Sequence, residues 1–572
     1  MGTSDQHLTF DSAFESGNLD MAYRATEEEY YLYMRVDTNT RGHHQWFYFS
    51  VEYQPHFQGR TVTFNIMNFT KDESLYTSGM RVCVRRESAR EPFQRGGFDI
   101  SYKQSRHVRK ASPEPGRQSY FYQLKFSYTF EAPTDKVYFA YCFPYTFSML
   151  QSFIKEVSLM RASVRSSQAV DQLPLGKKND YFSESVLSKS LSGADVPLLT
   201  ITSRLTSDPG EYNLIKMEEF EDQDSKVSMP MYKRKKYVVV TGRVHPGESN
   251  SSWVMQGFIK CLMGSSLQAK QLRKRLIFLV VPMINVDGVI IGNYRTSMAG
   301  NDLNRRYLEP EPRLHPEVCA VKELVHELIY GKDPAAPKQD PGKQQPPTPT
   351  ICDEDIMAFV DLHGHSRKKN VFVYGPQFPL SSDKYYRCRL IPKLLSEETS
   401  KFRYHSSSFK YEYCKRKTAR VVLAREYNIM NCYTLEASFS GHFDENRRNY
   451  EFNQQQYEEM GEHFLNSLYE YTLILEEEQR LKQLREMEKK KRKKAMEKSM
   501  IKPKETPQAG STNNEQSNKD AWKGTSGAAE QEHSNNPQNQ SKKDESVSKK
   551  NRTEAIHGPN RDVIQVKKKK KG

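Results

Sequence analysis

The sequence contains no CxxC pair, although it has eight cysteines, and it has only three tryptophans in 572 residues. Scattered thiols without metal-finger or redox spacing argue against a zinc ribbon or a thioredoxin-like motif, and predict free cysteines in a reducing compartment. No run of 18 apolar residues occurs and no apolar segment follows Met1, so no membrane-spanning helix or secretory leader is legible. Strand-like sequence starts directly after the first few residues, which would also suit a shortened form of a longer chain. A strongly basic body is missing too. The net charge is +15, but 25 basic and 12 acidic residues between Gln479 and Gly572 supply +13 of it, leaving +2 for the first 478 residues. Binding to nucleic acid is therefore not expected of the folded part.

What is present falls into three blocks. Residues 1–143 read as an all-β sandwich, because aromatic and β-branched runs such as 29-EYYLYMRVD-37, 45-QWFYFSVEY-53, 61-TVTFNIMNF-69 and 119-SYFYQLKFSYTF-130 are separated by polar turns. No catalytic constellation is visible among them. Residues 144–474 alternate helical stretches (145–157, 253–263, 317–330) with apolar strand-like runs (237–242, 276–284, 356–364, 371–375, 433–439). That alternation predicts an α/β domain, a mainly parallel mixed sheet covered by helices. Ser-rich 161–195 and Pro/Gln-rich 331–350 read as surface excursions. Residues 475–572 read as a charged helix followed by a disordered basic tail.

The chemistry concentrates where apolar runs end. The strand 236-KYVVVTGR-243 leads into 244-VHPGE-248, with Pro246 where a helix would begin, so His245 and Glu248 share a strand-to-helix turn. An HxxE pair alone is cheap, and 442-HFDE-445 is a second instance. A third donor comes from 356-IMAFVDLHGHSRKKN-370, where His363 lies nearer the strand end than His365. Adjacent strand ends open onto one crevice, and His245, Glu248 and His363 would leave Zn²⁺ three protein ligands and an open position. Cys432 reads as buried packing. The loop 285-NVDGVIIGNYRTSMAGNDLNRRY-307 offers Arg295, Asn304 and Arg305, and a guanidinium fork matches a carboxylate. Finally, 431-NCYTLEASFSG-441 places one carboxylate, Glu436, inside an apolar strand, where it needs a partner.

HPGE, NVDGV, GNYR…DLNRRY, DLHGH and TLEASFSG, in this order, resemble the zinc metallocarboxypeptidases. With 14-FESGNLDMA-22 and 33-YMRVDTNTRGHHQWFYF-49 the resemblance is to the cytosolic carboxypeptidases, the tubulin-type deglutamylases, over residues 7 to about 470. It implies one Zn²⁺ held by His245, Glu248 and His363, with Glu436 as general base and Arg295 stabilising the oxyanion. It further implies that Asn304 and Arg305 clamp the terminal carboxylate. Thr418–Arg420 resembles the stretch that supplies a cation to an acidic end residue, which gives Arg420 that role. Tyr411 and Tyr413 lie in the region of a mobile-loop tyrosine, and neither is assigned. The implied activity is removal of C-terminal glutamate, or aspartate, from acidic tails and polyglutamate side chains. The implied partner is tubulin in microtubules, and the implied location is the cytoplasm, with the centriole, basal body or cilium as sites of concentration. The rival readings are an aspartoacylase-like amidohydrolase and a catalytically silent microtubule adaptor.

Overall fold

The computed structural model of the chain describes residues 7–110, 119–166, 180–205, 214–216, 232–331 and 355–500. The predicted tail from 501 onward and the Pro/Gln-rich stretch from 332 lie outside the described residues.

The aromatic runs build two five-stranded sheets. One has the strand order Thr9–Asp11, Tyr48–Tyr53, Asp135–Ala140, Val82–Arg86, Gln94–Gly96. The other runs Leu19–Arg24, Glu29–Met34, Thr61–Phe69, Ser119–Thr129, Phe98–Lys110. Alternation puts Phe49 and Phe139 of the first sheet against Phe64 and Phe126 of the second, with ring centroids 5.3–6.4 Å apart. Interlocked rings of this kind are the core of a sandwich. The strand Phe98–Lys110 alternates apolar residues only at its start, Phe98, Ile100 and Tyr102, is polar and basic over most of the rest, and forms the edge of its sheet.

A seven-stranded sheet follows, in the order Asp180–Lys189, Asp195–Leu205, Leu276–Val281, Lys236–Gly242, Ile356–His365, Cys432–Ser438, Val371–Tyr374. The four strands Leu276–Val281, Lys236–Gly242, Ile356–His365 and Cys432–Ser438 pair in parallel, and the remaining three are antiparallel to their neighbours. The parallel strands are the continuous apolar runs, as expected of strands covered on both faces. The sequence reading of 161–195 as a surface excursion is corrected in part: residues 180–189 are an edge strand, whose Ser, Glu and Lys residues suit an exposed edge.

The helices Phe147–Ser166, Ser249–Met263 and Pro316–Tyr330 replace the three predicted ones. The second starts at Ser249 with Glu248 at its cap, not at Pro246. The charged helix expected from residue 475 is the continuation of a single helix, Gln454–Met500, whose first turns bury Tyr457, Met460, Phe464 and Leu468. Residues 1–493 form one compact unit. Among the described residues no helix is long and apolar enough to cross a membrane, and the seven described cysteines are free.

Candidate metal centre and active site

Parallel pairing brings the motif-bearing strand ends to one edge. In register, Gly242 lies beside Leu362, and His363 beside Glu436. The chain leaves the Lys236–Gly242 strand through Arg243, a buried non-glycine residue with φ of 57°, a conformation that costs energy and persists only where its surroundings hold it. Here the Arg243 side chain donates to Pro246 O at 2.7 Å, Tyr145 O at 2.8 Å and Ser252 Oγ at 2.9 Å, stapling the turn that carries His245 and Glu248. Gly247 is needed because a Cβ would stand 2.6 Å from the Tyr294 ring and 2.8 Å from its carbonyl oxygen.

His245, Glu248 and His363 are all buried, and their ligand atoms lie within 4.8 Å of one another. The Nδ1 atoms of both imidazoles face the Glu248 carboxylate, His245 at 2.9 Å from Oε1 and His363 at 2.9 Å from Oε2. Gly364 N–H also donates to Oε2, at 3.0 Å. On the far side of each ring, Nε2–H donates to a carboxylate: His245 to Asp302 at 3.1 Å, His363 to Asp361 at 2.7 Å. Carboxylates behind both histidines fix the tautomer that leaves Nδ1 free to ligate. Thr241 Oγ1 donates to the other Asp361 oxygen at 2.8 Å.

The electrostatics suit a cation. Burial alone would lower the His363 pKa, yet Asp361 and Glu248 hold it well above its ordinary value. Burial would raise the carboxyls of Glu248 and Asp302. The two histidines outweigh it for Glu248, Arg295 and His245 outweigh it for Asp302, and both stay well below the usual carboxylate range. A buried His–Glu–His set with two orienting carboxylates fits Zn²⁺.

Around it stand the other expected residues. Glu436 occupies the strand position beside His363. Burial pushes its carboxyl up to about 7, with Glu248 adding to the effect and His363 opposing it. Asn250 Nδ2, on the helix after HPGE, donates to Ala437 O at 2.8 Å and so ties that strand to the metal-facing turn. Arg295 donates through Nε to Asp302 at 2.8 Å. Asn304 places Nδ2 at 3.3 Å from His363 Nε2, and its Oδ1 accepts Ala419 N–H at 3.0 Å. Arg305 is half-buried and donates to Asn304 O at 2.9 Å. Arg420 is buried on the helix Ala419–Glu426 and donates to Gly375 O at 2.7 Å, with Glu412 and Glu436 among its charged neighbours.

Other candidates fall elsewhere. His365 Nδ1 accepts Lys368 N–H at 2.9 Å, and burial lowers its pKa to about 4. The His442 ring stacks on Phe452 at 5.3 Å, so the second HxxE faces packing. Cys432 is fully buried outside the donor group. Tyr411 and Tyr413 line a cavity of 420 Å³ with Arg416 and Arg425, which includes none of the expected site residues.

Two residues of the sandwich reach the site, which corrects the expectation that it holds nothing of the constellation. Asp37 accepts the backbone N–H groups of Tyr294, Arg295 and Thr296 at 2.6, 2.7 and 2.9 Å. Lys71 hydrogen-bonds Tyr294 and Ser366. The sequence pattern assigns no role to Asp302 or Asp361, although both stand two residues before an expected site residue in DLNR and DLHGH.

Comparison with known proteins agrees with this geometry. Residues 176–529 match the zinc carboxypeptidase family, and residues 10–142 match the cytosolic carboxypeptidase N-terminal domain. Cytosolic carboxypeptidase 1 of Danio rerio is 34% identical over 487 residues, 81% of this chain and 37% of that protein. Cytosolic carboxypeptidase 3 of Mus musculus is 34% identical over 496 residues, 85% of this chain and 42% of that protein. The matched region thus spans less than half the length of these relatives. A crystal structure of a metallo-carboxypeptidase from Burkholderia cenocepacia shares the fold, with a TM-score of 0.57 at 20% identity over 82% of this chain and 99% of that one. The chain belongs to the zinc carboxypeptidase family, in its cytosolic carboxypeptidase branch.

Proposed function

We propose that the protein is a zinc-dependent carboxypeptidase that removes glutamate, and secondarily aspartate, one residue at a time from acidic C-termini and polyglutamate side chains, with polyglutamylated tubulin as its chief substrate. The observation that carries this reading is the register of Glu436 beside His363, one strand from a buried His–Glu–His group whose rings are both held by carboxylates. The name of its relatives supports a cytosolic location, and centrioles, basal bodies and cilia are where glutamylated microtubules would concentrate the enzyme.

Zinc, when bound by His245, Glu248 and His363, supplies Lewis-acid activation of water and of the scissile carbonyl. Glu436, with its pKa near neutrality, accepts the proton of the attacking water and returns it to the leaving amine. Arg295 donates to the developing oxyanion, a role that needs a cation already fixed in place, and its bond to Asp302 fixes it. Asn304 and Arg305 hold the terminal carboxylate, which limits the reaction to chain ends. Arg420 receives the acidic side chain of the residue removed.

The test is mass spectrometry of a peptide ending in several glutamates, incubated with the zinc-loaded protein and, in parallel, with its Glu436→Gln variant. Stepwise loss of single glutamates with the unaltered protein and none with the variant is expected. An unchanged peptide, linear or branched, would overturn the reading and leave the silent adaptor. Release of the acyl group from N-acetylaspartate would point to the amidohydrolase.

A further inference from the structure

The ammonium of Lys71 is the one cation that the sandwich domain brings to the neighbourhood of Glu248 and Glu436 among the residues named above. It stands two residues past the end of the apolar strand Thr61–Phe69, which carries it towards the catalytic domain, and its carbonyl oxygen is held by Tyr102 Oη–H at 2.5 Å. Nζ bonds Ser366 Oγ at 2.8 Å and the Tyr294 hydroxyl. Both partners are neutral. Among the described residues no carboxylate pairs with it, and its other contact is the face of the Tyr294 ring, 4.6 Å from the centroid. Lys71 is half-buried, and an ammonium partly withdrawn from water without a counter-ion either gives up its proton or gains from a ligand that supplies the missing charge.

The surroundings indicate which ligand. The strongest charges felt by Lys71 are Arg295, Glu248, Arg367 and Glu436, and burial together with the two guanidiniums brings its pKa down to about 7. Arg367 is already engaged, donating to Asp72 at 2.9 Å and reaching Glu73 at 3.2 Å. Lys71 and Arg420 therefore both sense Glu436, but from different flanks. Arg420 is anchored at Gly375, just past the Val371–Tyr374 strand at one edge of the sheet. Lys71 is anchored at Ser366, just past the Ile356–His365 strand, which flanks the Glu436 strand on the side opposite Val371–Tyr374, and at Tyr294, in the loop after the helix Val286–Ile291. With Arg420 on the side chain of the departing residue, the Lys71 flank receives the chain on the other side of the scissile bond.

We propose that Lys71 is a specificity-determining residue whose ammonium binds the side-chain carboxylate of the penultimate residue, so that the site reads two consecutive acidic residues with cations from two domains. This rests on the carboxypeptidase reading above. It makes the sandwich domain part of the substrate site, and it makes a run of glutamates a better substrate than a single terminal glutamate.

The experiment compares peptides ending in Glu-Glu, Gln-Glu and Ala-Glu on the zinc-loaded full chain, for the unaltered protein and for Lys71→Met and Lys71→Arg. Cleavage is read as kcat/KM, and binding is read separately as Kd in the Glu436→Gln background. The unaltered protein should favour Glu-Glu over Ala-Glu by roughly 10- to 100-fold in both readouts, the worth of one charge-assisted bond. Lys71→Met should bring the ratio towards one, and Lys71→Arg should retain most of it. A ratio that Lys71→Met leaves intact, or a loss equal for all three peptides with the ratio preserved, would overturn the proposal, the latter by showing a purely structural role. Lys71-dependent binding without any cleavage would uphold Lys71 and sink the carboxypeptidase reading. Cleavage with no Lys71-dependent preference would do the reverse, and neither binding nor cleavage would sink both.

Discussion

The Asp37 carboxylate accepts the backbone N–H of Arg295 at 2.7 Å, across the boundary between the sandwich and the catalytic domain. The same side chain also takes the N–H groups of Tyr294 and Thr296, so three consecutive amides converge on one buried anion. The backbone from Tyr294 to Thr296 is thereby held by a residue of the sandwich while Asp302 holds the Arg295 guanidinium, so the role proposed for Arg295 depends on the docking of the sandwich.

Replacing that anion by its isostere keeps the shape and removes the charge. Asp37→Asn turns three charge-assisted bonds into neutral ones and presents an amide N–H₂ to at least one donor, a loss of about 2–3 kcal/mol. The expected result is a drop in kcat/KM of about 100-fold, with a lower midpoint in urea. An unchanged kcat/KM in a fully folded variant would mean that Arg295 is held by Asp302 alone.

The carboxylates behind the two imidazoles give a separate prediction about the metal. Asp361 is fully buried, orients His363 through Nε2 and is itself held by Thr241. Asp361→Asn should weaken zinc binding by about 10- to 100-fold, measured by competition with a chromophoric chelator. Stripping the unaltered protein with a chelator should abolish peptide cleavage, and one equivalent of zinc should restore it. Equal zinc affinity in the variant would show that His363 is oriented without Asp361.

The parts of this arrangement legible in the sequence are those carried by local pattern. The runs 237–242, 276–284, 356–364 and 433–439 read as strands because apolar residues dominate them, and HPGE, NVDGV, DLHGH and TLEAS carry the polar residues of the ends that meet the crevice. The edge strand Asp180–Lys189 is not legible because an exposed edge needs no apolar alternation. Beyond Tyr102 the same holds for Phe98–Lys110. Asp37 and Lys71 were unreadable for a different cause. Each is one of several polar residues in a loop after a strand, and only the packing of one domain on the other brings it to Arg295 or Tyr294. Asp302 and Asp361 lay in plain view inside quoted motifs, but their task is defined by a ring nitrogen far along the chain.

Arg420 offers a test of end-residue choice. Its guanidinium is buried and donates to Gly375 O. Arg420→Met should reduce kcat/KM for a glutamate-ended peptide by about 10- to 100-fold relative to a leucine-ended one, the worth of a charge-assisted bond at a dry site. A parallel fall for both peptides would assign Arg420 to the support of the Gly375 turn instead.

Glu317 makes the fold itself sensitive to pH. It sits in the first turn of the Pro316–Tyr330 helix, where an acid is usually favourable, yet its side chain is buried and Oε2 has no partner. Burial pushes its pKa up to about 7 from an ordinary 4.5, against a bond to its own backbone that pulls it down, and Asp287 adds a smaller push upward. The folded state therefore holds a proton that the unfolded chain releases between these two values. The stability contributed by the neutral carboxyl is intact below pH 4.5 and lost as pH rises through 7. Glu317→Gln removes this dependence, so in urea titrations the variant should match the unaltered protein near pH 5 and exceed it at pH 8 by up to about 3 kcal/mol. A difference that stays flat between pH 5 and 8 would mean that the carboxylate is solvated in the native state.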